Sequence, residues 1–399
     1  MRPLSTLIGV LAMSLTGCDA GRLSIGGEDA DRPQDARPSL DGAVDAGSRR
    51  DAGRGNDGGE ARDSGGDAGS DAAIPLSDLH FIGRFDFSAG PTTPWLAWPG
   101  TEIVARFRGT SISVRLDDGG ANFFDAWVDG APQPVIDTTS GPADYTIASG
   151  LTDDEHTVRI ARATESFLGR TRFLGFPGAT LIPSAPPYAH LIEFIGDSIT
   201  CGVGVLGVGP GCPFSPDTES EPDAYGALAA QTLGAGHVAI AYAGHGLYRN
   251  YDLTTDTVLP VLFERRLAES PGDPWDFSYT PDVVVVNLGT NDFGMGDPGM
   301  PFVDACDAFV MQLRGHYPGA AILLTTSPML GGAPHDAQRG YLSQVIASAA
   351  ARSDTRVSMV DFDPQSPTDG LGCDYHPSAT THRNMAALLV TAIRGVTGW

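Results

Sequence analysis

Five short apolar runs constrain this chain more than any other feature. They are LIEFI at 191–195, HVAIAYA at 237–243, DVVVVNLG at 282–289, AAILLTT at 320–326 and RVSMVDF at 356–362. Each is too short for a helix that must bury a face, and too continuously apolar for a strand with one wet side. Strands covered on both faces read this way. Between and after them lie helical stretches at 223–233, 302–315, 336–352 and 379–394. The alternation predicts an α/β fold over 189–399, with a parallel sheet between two helical layers.

Open sheets of this kind gather ligands beyond the carboxyl ends of their strands. Four blocks of reactive residues fall there: Gly196-Asp197-Ser198-Ile199-Thr200, Ala243-Gly244-His245-Gly246, Gly289-Thr290-Asn291-Asp292 and Asp374-Tyr375-His376-Pro377. A serine that cleaves esters needs a base, because a free hydroxyl is a weak nucleophile at neutral pH. It needs donors for the oxygen that becomes negative, and a group that holds the base in the right tautomer. Ser198 is the candidate nucleophile and His376 the candidate base. The N–H groups of Ser198 and Gly244 and the side-chain amide of Asn291 are the candidate oxyanion hole. Asp374, two residues before His376, either flanks the imidazole with its carboxylate or leaves a main-chain carbonyl to orient the ring. Position 200 is threonine, so the G-x-S-x-G elbow of ordinary α/β-hydrolases is absent. No CxxC or HExxH spacing occurs, so no metal is assigned, and the chemistry as read requires no cofactor.

Residues 76–183 have another character. LHFIGRFDF, TEIVARFRGTSISVRLDD (read as two strands around Arg108-Gly109-Thr110), NFFDAWVDG, ADYTIASGL and HTVRIARAT are short strand-like segments separated by Gly, Pro and Asp. This pattern predicts a β-sandwich. Trp95, Trp98 and Trp127 are candidates for stacking on sugars or for packing, as is Trp275 in the second half. PSAPPY at 183–188 reads as the hinge.

The amino terminus reads as an export signal over residues 1–18, with Arg2 before a short apolar stretch. It ends Leu15-Thr16-Gly17-Cys18, similar to the lipobox of bacterial lipoproteins, which implies lipidation of Cys18 and a membrane contact through that anchor alone. Residues 19–75 are rich in Asp, Gly and Ala with almost no bulky apolar side chains, the composition of a disordered spacer. The expected location is the cell surface or periplasm, or secretion. The net charge of −24 argues against nucleic-acid binding. Of the remaining cysteines, Cys201, Cys212, Cys306 and Cys373, a Cys201–Cys212 and a Cys201–Cys373 bridge are equally compatible with the spacing.

The four blocks together resemble the SGNH (GDSL-type) hydrolases. GDSITCGVG, Asp223-Ala224-Tyr225, GHGLYRN at 244–250, PWDFSYTPDVVVVNLGTNDF at 274–293 and GCDYHPS at 372–378 are similar to carbohydrate esterase family 2. That resemblance covers about 77–399. It implies an N-terminal jelly-roll before an SGNH three-layer sandwich, and removal of acetyl groups from plant polysaccharides such as xylan and glucomannan. The usual Asp-x-x-His of the superfamily is broken, since Cys373 stands three residues before His376. The rival readings are an SGNH esterase acting on cell-wall sugars, small esters or lipids, and a non-catalytic glycan-binding surface lipoprotein.

Overall fold

The computed structural model describes residues 76–399. The export signal, Cys18 and the spacer at 19–75 lie outside the described residues.

The carboxyl-terminal half is built on a five-stranded parallel sheet. Its spatial order is Gly236–Ala241, Leu191–Gly196, Val283–Asn287, Ala321–Thr325 and Val357–Val360. The strand that leads to Ser198 therefore lies between the second and third strands of the chain, where the winding reverses. Strand residues alternate between two cores. Val284, Val286, Ile322 and Leu324 pack with Phe302, Phe309, Leu342 and Val345 of the helices Met300–His316 and Ala333–Ala351. Val283, Val285, Ala321 and Leu323 pack with Tyr225, Ala229, Met385 and Leu389 of the helices Tyr225–Leu233 and Ala379–Thr397. The uniform apolarity of the five runs is explained by this arrangement, an α/β three-layer sandwich.

The first half is a nine-stranded antiparallel sheet. Two expected strand pairs prove to be two long strands, Glu102–Asp118 and Gly141–Arg162, paired along their lengths. The ladder slips between Gly109 and Ser111, opposite Ser149 and Asp154, and again between Ile112 and Ser113. Gly109, at φ 137°, adopts a backbone that disfavours L side chains. The slip also switches which residues point inward: Ile103, Ala105 and Phe107 before it, Ile112, Val114 and Leu116 after it, all in one core. A bulge thus bends the strands without ending them, and a single curled sheet closes over its own apolar face.

The two halves share an apolar and ionic seam. Trp98 is fully buried within the core of the parallel sheet, and its indole N–H donates to the Arg266 carbonyl at 2.9 Å. Arg84, also fully buried, meets Glu193 of the strand Leu191–Gly196 at 3.3 Å and donates to the Arg265 carbonyl at 2.9 Å.

Candidate active site

The strand Leu191–Gly196 ends at Asp197, whose carboxylate accepts the Ile199 N–H at 3.0 Å and starts the one-turn helix Ser198–Cys201. Ser198 is the first residue of that turn, so its N–H has no helical partner. It donates to no other protein group among the described residues, and the same holds for the Gly244 N–H. Gly196 has no room for a side chain, because a Cβ there would run into the Thr200 side chain and the Asn287 carbonyl.

His376 reaches this turn from the loop after the last strand. Its Nε2 lies 2.8 Å from Ser198 Oγ across a separation of 178 residues. Its Nδ1 lies 3.1 Å from the main-chain carbonyl of Asp374. A carbonyl can only accept, so this contact puts the proton on Nδ1 and leaves Nε2 free to take one from the hydroxyl. The group of Asp374 that orients the ring is its carbonyl, so of the two arrangements open from the sequence the main-chain one occurs. The reason lies in the backbone: Asp374 at φ 52° and Tyr375 at φ 60° form a left-handed kink that points the carbonyl back at the ring. Burial lowers the pKa of His376 below the ordinary histidine value, and the nearby Asp374 charge partly opposes this. The imidazole is therefore neutral at neutral pH.

The kink is tied at its amino-terminal end. Cys373 bonds to Cys212, Cys373 N–H donates to Gly204 O at 3.1 Å, and Asp374 N–H donates to Cys212 O at 2.8 Å. Neither pairing considered from the sequence occurs, since Cys201 and Cys306 are buried thiols. Cys201 lies on the serine turn and points to Glu165 instead, at 3.8 Å.

Asn291 opens the short helix Thr290–Phe293 after the strand Val283–Asn287. Its side-chain NH₂ donates to the His245 carbonyl at 2.9 Å and to Asp197 at 3.3 Å, which ties the second and third blocks to the residue before the serine. Asp197 is fully buried, and burial pushes its pKa up to about 7. Asp292, given no role from the sequence, is an anchor: its carboxylate accepts the N–H groups of Leu247, Tyr248 and Arg249 at 2.9, 2.7 and 3.0 Å. Its place in the same block as Asn291 was the one available signal.

The tryptophans are occupied elsewhere. Trp98 and Trp275 are buried, Arg159 covers Trp127 at 3.6 Å, and Arg170 covers Trp95 at 4.2 Å. Exposed aromatic side chains in the site loops include Tyr375 (52%), next to His376 in the chain, and Tyr251 (55%), whose ring lies against Gly244. Among the described residues, one group has metal-ligating character, the buried Glu165, Cys201 and Glu219. It lies behind the serine turn, with Ser198 and His376 outside it.

Comparison with known proteins agrees with this picture. Residues 81–186 match the model described as Carbohydrate esterase 2 N-terminal, and residues 194–383 match the GDSL-like Lipase/Acylhydrolase family. The chain is 38% identical over 336 residues to a cellulase/esterase, CelE, of Acetivibrio thermocellus, covering 82% of this chain and 41% of that longer protein. It is 30% identical over 347 residues to an acetylxylan esterase / glucomannan deacetylase of Cellvibrio japonicus, covering 82% and 92% respectively. A solved structure of a family two carbohydrate esterase from Clostridium thermocellum, in complex with cellohexaose, superposes with a TM-score of 0.77 at 38% identity, covering 80% of this chain and 99% of that one. With fold, motif order and alignment over 80–82% of this chain in agreement, the chain belongs to carbohydrate esterase family 2.

Proposed function

We propose that this protein is a carbohydrate O-acetylesterase that deacetylates plant polysaccharides, xylan and glucomannan among them, through an acetyl-enzyme on Ser198. The observation that carries the reading is the 2.8 Å contact between His376 Nε2 and Ser198 Oγ, with the ring's other nitrogen held by a carbonyl. In the first half-reaction the Ser198 hydroxyl proton passes to Nε2 as Oγ bonds to the acetyl carbon, and the carbonyl oxygen becomes negative. The Ser198 and Gly244 N–H groups, free of protein acceptors, receive that charge, and the Asn291 amide joins them by giving up its 3.3 Å hydrogen bond to Asp197. Collapse breaks the bond to the sugar oxygen, which takes the proton from Nε2. Water then repeats the sequence on the acetyl-enzyme and releases acetate. Exposed Tyr375, next to His376 in the chain, and Tyr251, against Gly244, suit the apolar face of a pyranose. The names of the relatives support acetylated xylan and glucomannan as substrates.

The test follows acetyl signals by NMR on defined acetylated xylan and glucomannan. Loss of acetate release in Ser198→Ala, with release intact in the wild type, is the expected result. Full release by that variant would overturn the mechanism, and binding of glycan without turnover by the wild type would favour the lectin reading.

We propose further that the protein is exported and held at a membrane through lipid on Cys18, supported by the residues Leu15-Thr16-Gly17-Cys18. Incorporation of labelled palmitate that disappears in Cys18→Ala tests this. Among the described residues no helix is long and apolar enough to cross a membrane.

A further inference from the structure

One buried cluster behind the serine turn is left unused by this chemistry. Glu165 follows the long strand Gly141–Arg162 of the antiparallel half and is fully buried. Its main chain is fixed by Arg162, which donates to the carbonyls of Thr164, Glu165 and Gly169 and to the Asn122 side chain. Its carboxylate crosses into the parallel half. There Oε2 accepts the Ala243 N–H at 2.8 Å and the Cys201 thiol at 3.8 Å. Ala243 directly precedes Gly244, and Cys201 closes the turn that Ser198 opens. One side chain thus touches both segments that carry candidate oxyanion donors.

A second carboxylate, Glu219, stands beside it. An oxygen of each, with the Cys201 sulfur, lie within 4.8 Å of one another, and Glu165 N–H donates to Glu219 at 3.4 Å. The remaining oxygens, Oε1 of each, are buried with no acceptable donor. Two like charges this close in a dry site do not both ionise. One proton between them supplies the missing donor and leaves the pair a single negative charge, which faces the Arg162 cation that buried Asp118 also faces.

We infer that Glu165 is a positioning residue for ester hydrolysis: it holds the Ala243–Gly244 turn in register with Ser198 while sharing one proton with Glu219. This rests on the proposed use of the Gly244 N–H for the oxyanion. Burial raises both carboxyls above the ordinary range, and the Glu165 charge raises Glu219 further, in agreement with a retained proton. The other groups facing the pair are Arg162 from its own turn, which also faces buried Asp118, Cys201 from the serine turn and Tyr242 from the strand end, with Asp197 and Glu221 beyond Cys201. Loss of the shared proton at high pH leaves two negative charges against each other, and the Ala243–Gly244 turn is what they displace. Rate therefore falls on the alkaline side, as the pair's upper pKa is crossed.

The test compares Glu165→Asp, Glu165→Gln and Glu219→Gln, with kcat and KM for 4-nitrophenyl acetate across about pH 5–10 and thermal unfolding of each. Asp is one methylene too short to reach Ala243. It is expected to lower kcat about 10-fold or more with KM within about 2-fold, since it weakens a donor felt in the transition state. Gln keeps the accepting oxygen and donates to Glu219, so E165Q recovers most of the kcat lost in E165D. The alkaline fall disappears in E165Q and E219Q. A folded E165D with wild-type kcat would overturn the inference, as would an E165Q no better than E165D or an alkaline limb unchanged in both glutamine variants. So would a stoichiometric metal in the purified wild type, which would stand where the proton is placed. Ser198→Ala in the same assay reports on the esterase reading alone: if it is inactive while E165D is normal, only the inference about Glu165 fails.

Discussion

Ser198 and His376 touch, yet the protein holds them by unlike means. The serine belongs to regular structure. A central parallel strand delivers it, a cap by Asp197 starts its turn, and Gly196 lets that turn pack against Thr200 and Asn287 O. The histidine belongs to no regular element. Two non-glycine residues in the left-handed region aim its orienting carbonyl, and left-handed backbone at Asp374 and Tyr375 costs about 1–3 kcal/mol each. A cross-link to Cys212 and hydrogen bonds to Gly204 and Cys212 hold that geometry. A sheet supplies precision on one side, and a staple supplies it on the other. The stapled side is the one that a change of conditions can move.

The comparison breaks first if the two atoms do not act as one unit. Ser198→Ala and His376→Ala are each expected to lower kcat about 10⁴-fold or more, and the double variant no further. Additive losses in the double variant would mean the pair is not coupled.

Next comes the staple. Replacing Cys212 and Cys373 by serine is expected to lower kcat about 10-fold or more and to cost about 2–5 kcal/mol in urea unfolding. Hydrogen exchange should quicken at 371–377 and stay slow at 191–201. Equal loosening on both sides would erase the contrast drawn here.

The serine side is sharpened by Gly196→Ala. The added methyl group has no space, so a loss of about 1–3 kcal/mol in stability is expected by the same unfolding measurement.

The smallest effect is expected from Asp374→Asn, which keeps the carbonyl and suits left-handed backbone. kcat should stay within about 3-fold. The acid limb of the rate should lie below the ordinary histidine value, because burial lowers the His376 pKa. Removing the Asp374 charge takes away what opposes that lowering, so the limb moves to still lower pH. A loss of about 10⁴-fold, as when a triad carboxylate is neutralised, would return the orienting role to the side chain.

Much of this was legible in the sequence. The five apolar runs fixed the parallel sheet because strands buried on both faces leave no other composition. The serine block was visible for the same reason, since it continues one of those runs. The choice between the Asp374 carboxylate and a main-chain carbonyl was not, because a left-handed kink at two non-glycine residues has no compositional mark. The Cys212–Cys373 bridge was hidden because spacing does not say which loops meet. Glu165 escaped notice because it comes from the other half of the chain, and its partners Ala243 and Glu219 are joined to it by topology alone. The long strands were read as pairs because a bulge around Gly109 looks like a turn when only the letters are seen.

Trp98 has a consequence of its own. A residue of the antiparallel half completes the core of the parallel half, and Arg84 pairs with a glutamate on the strand that leads to Ser198. Cutting the chain at the hinge would open an unfilled socket in one fragment and leave a bare indole on the other. Gene fusions and deletions in this lineage are therefore expected to keep the two parts as one heritable piece, with new partners attached only outside it.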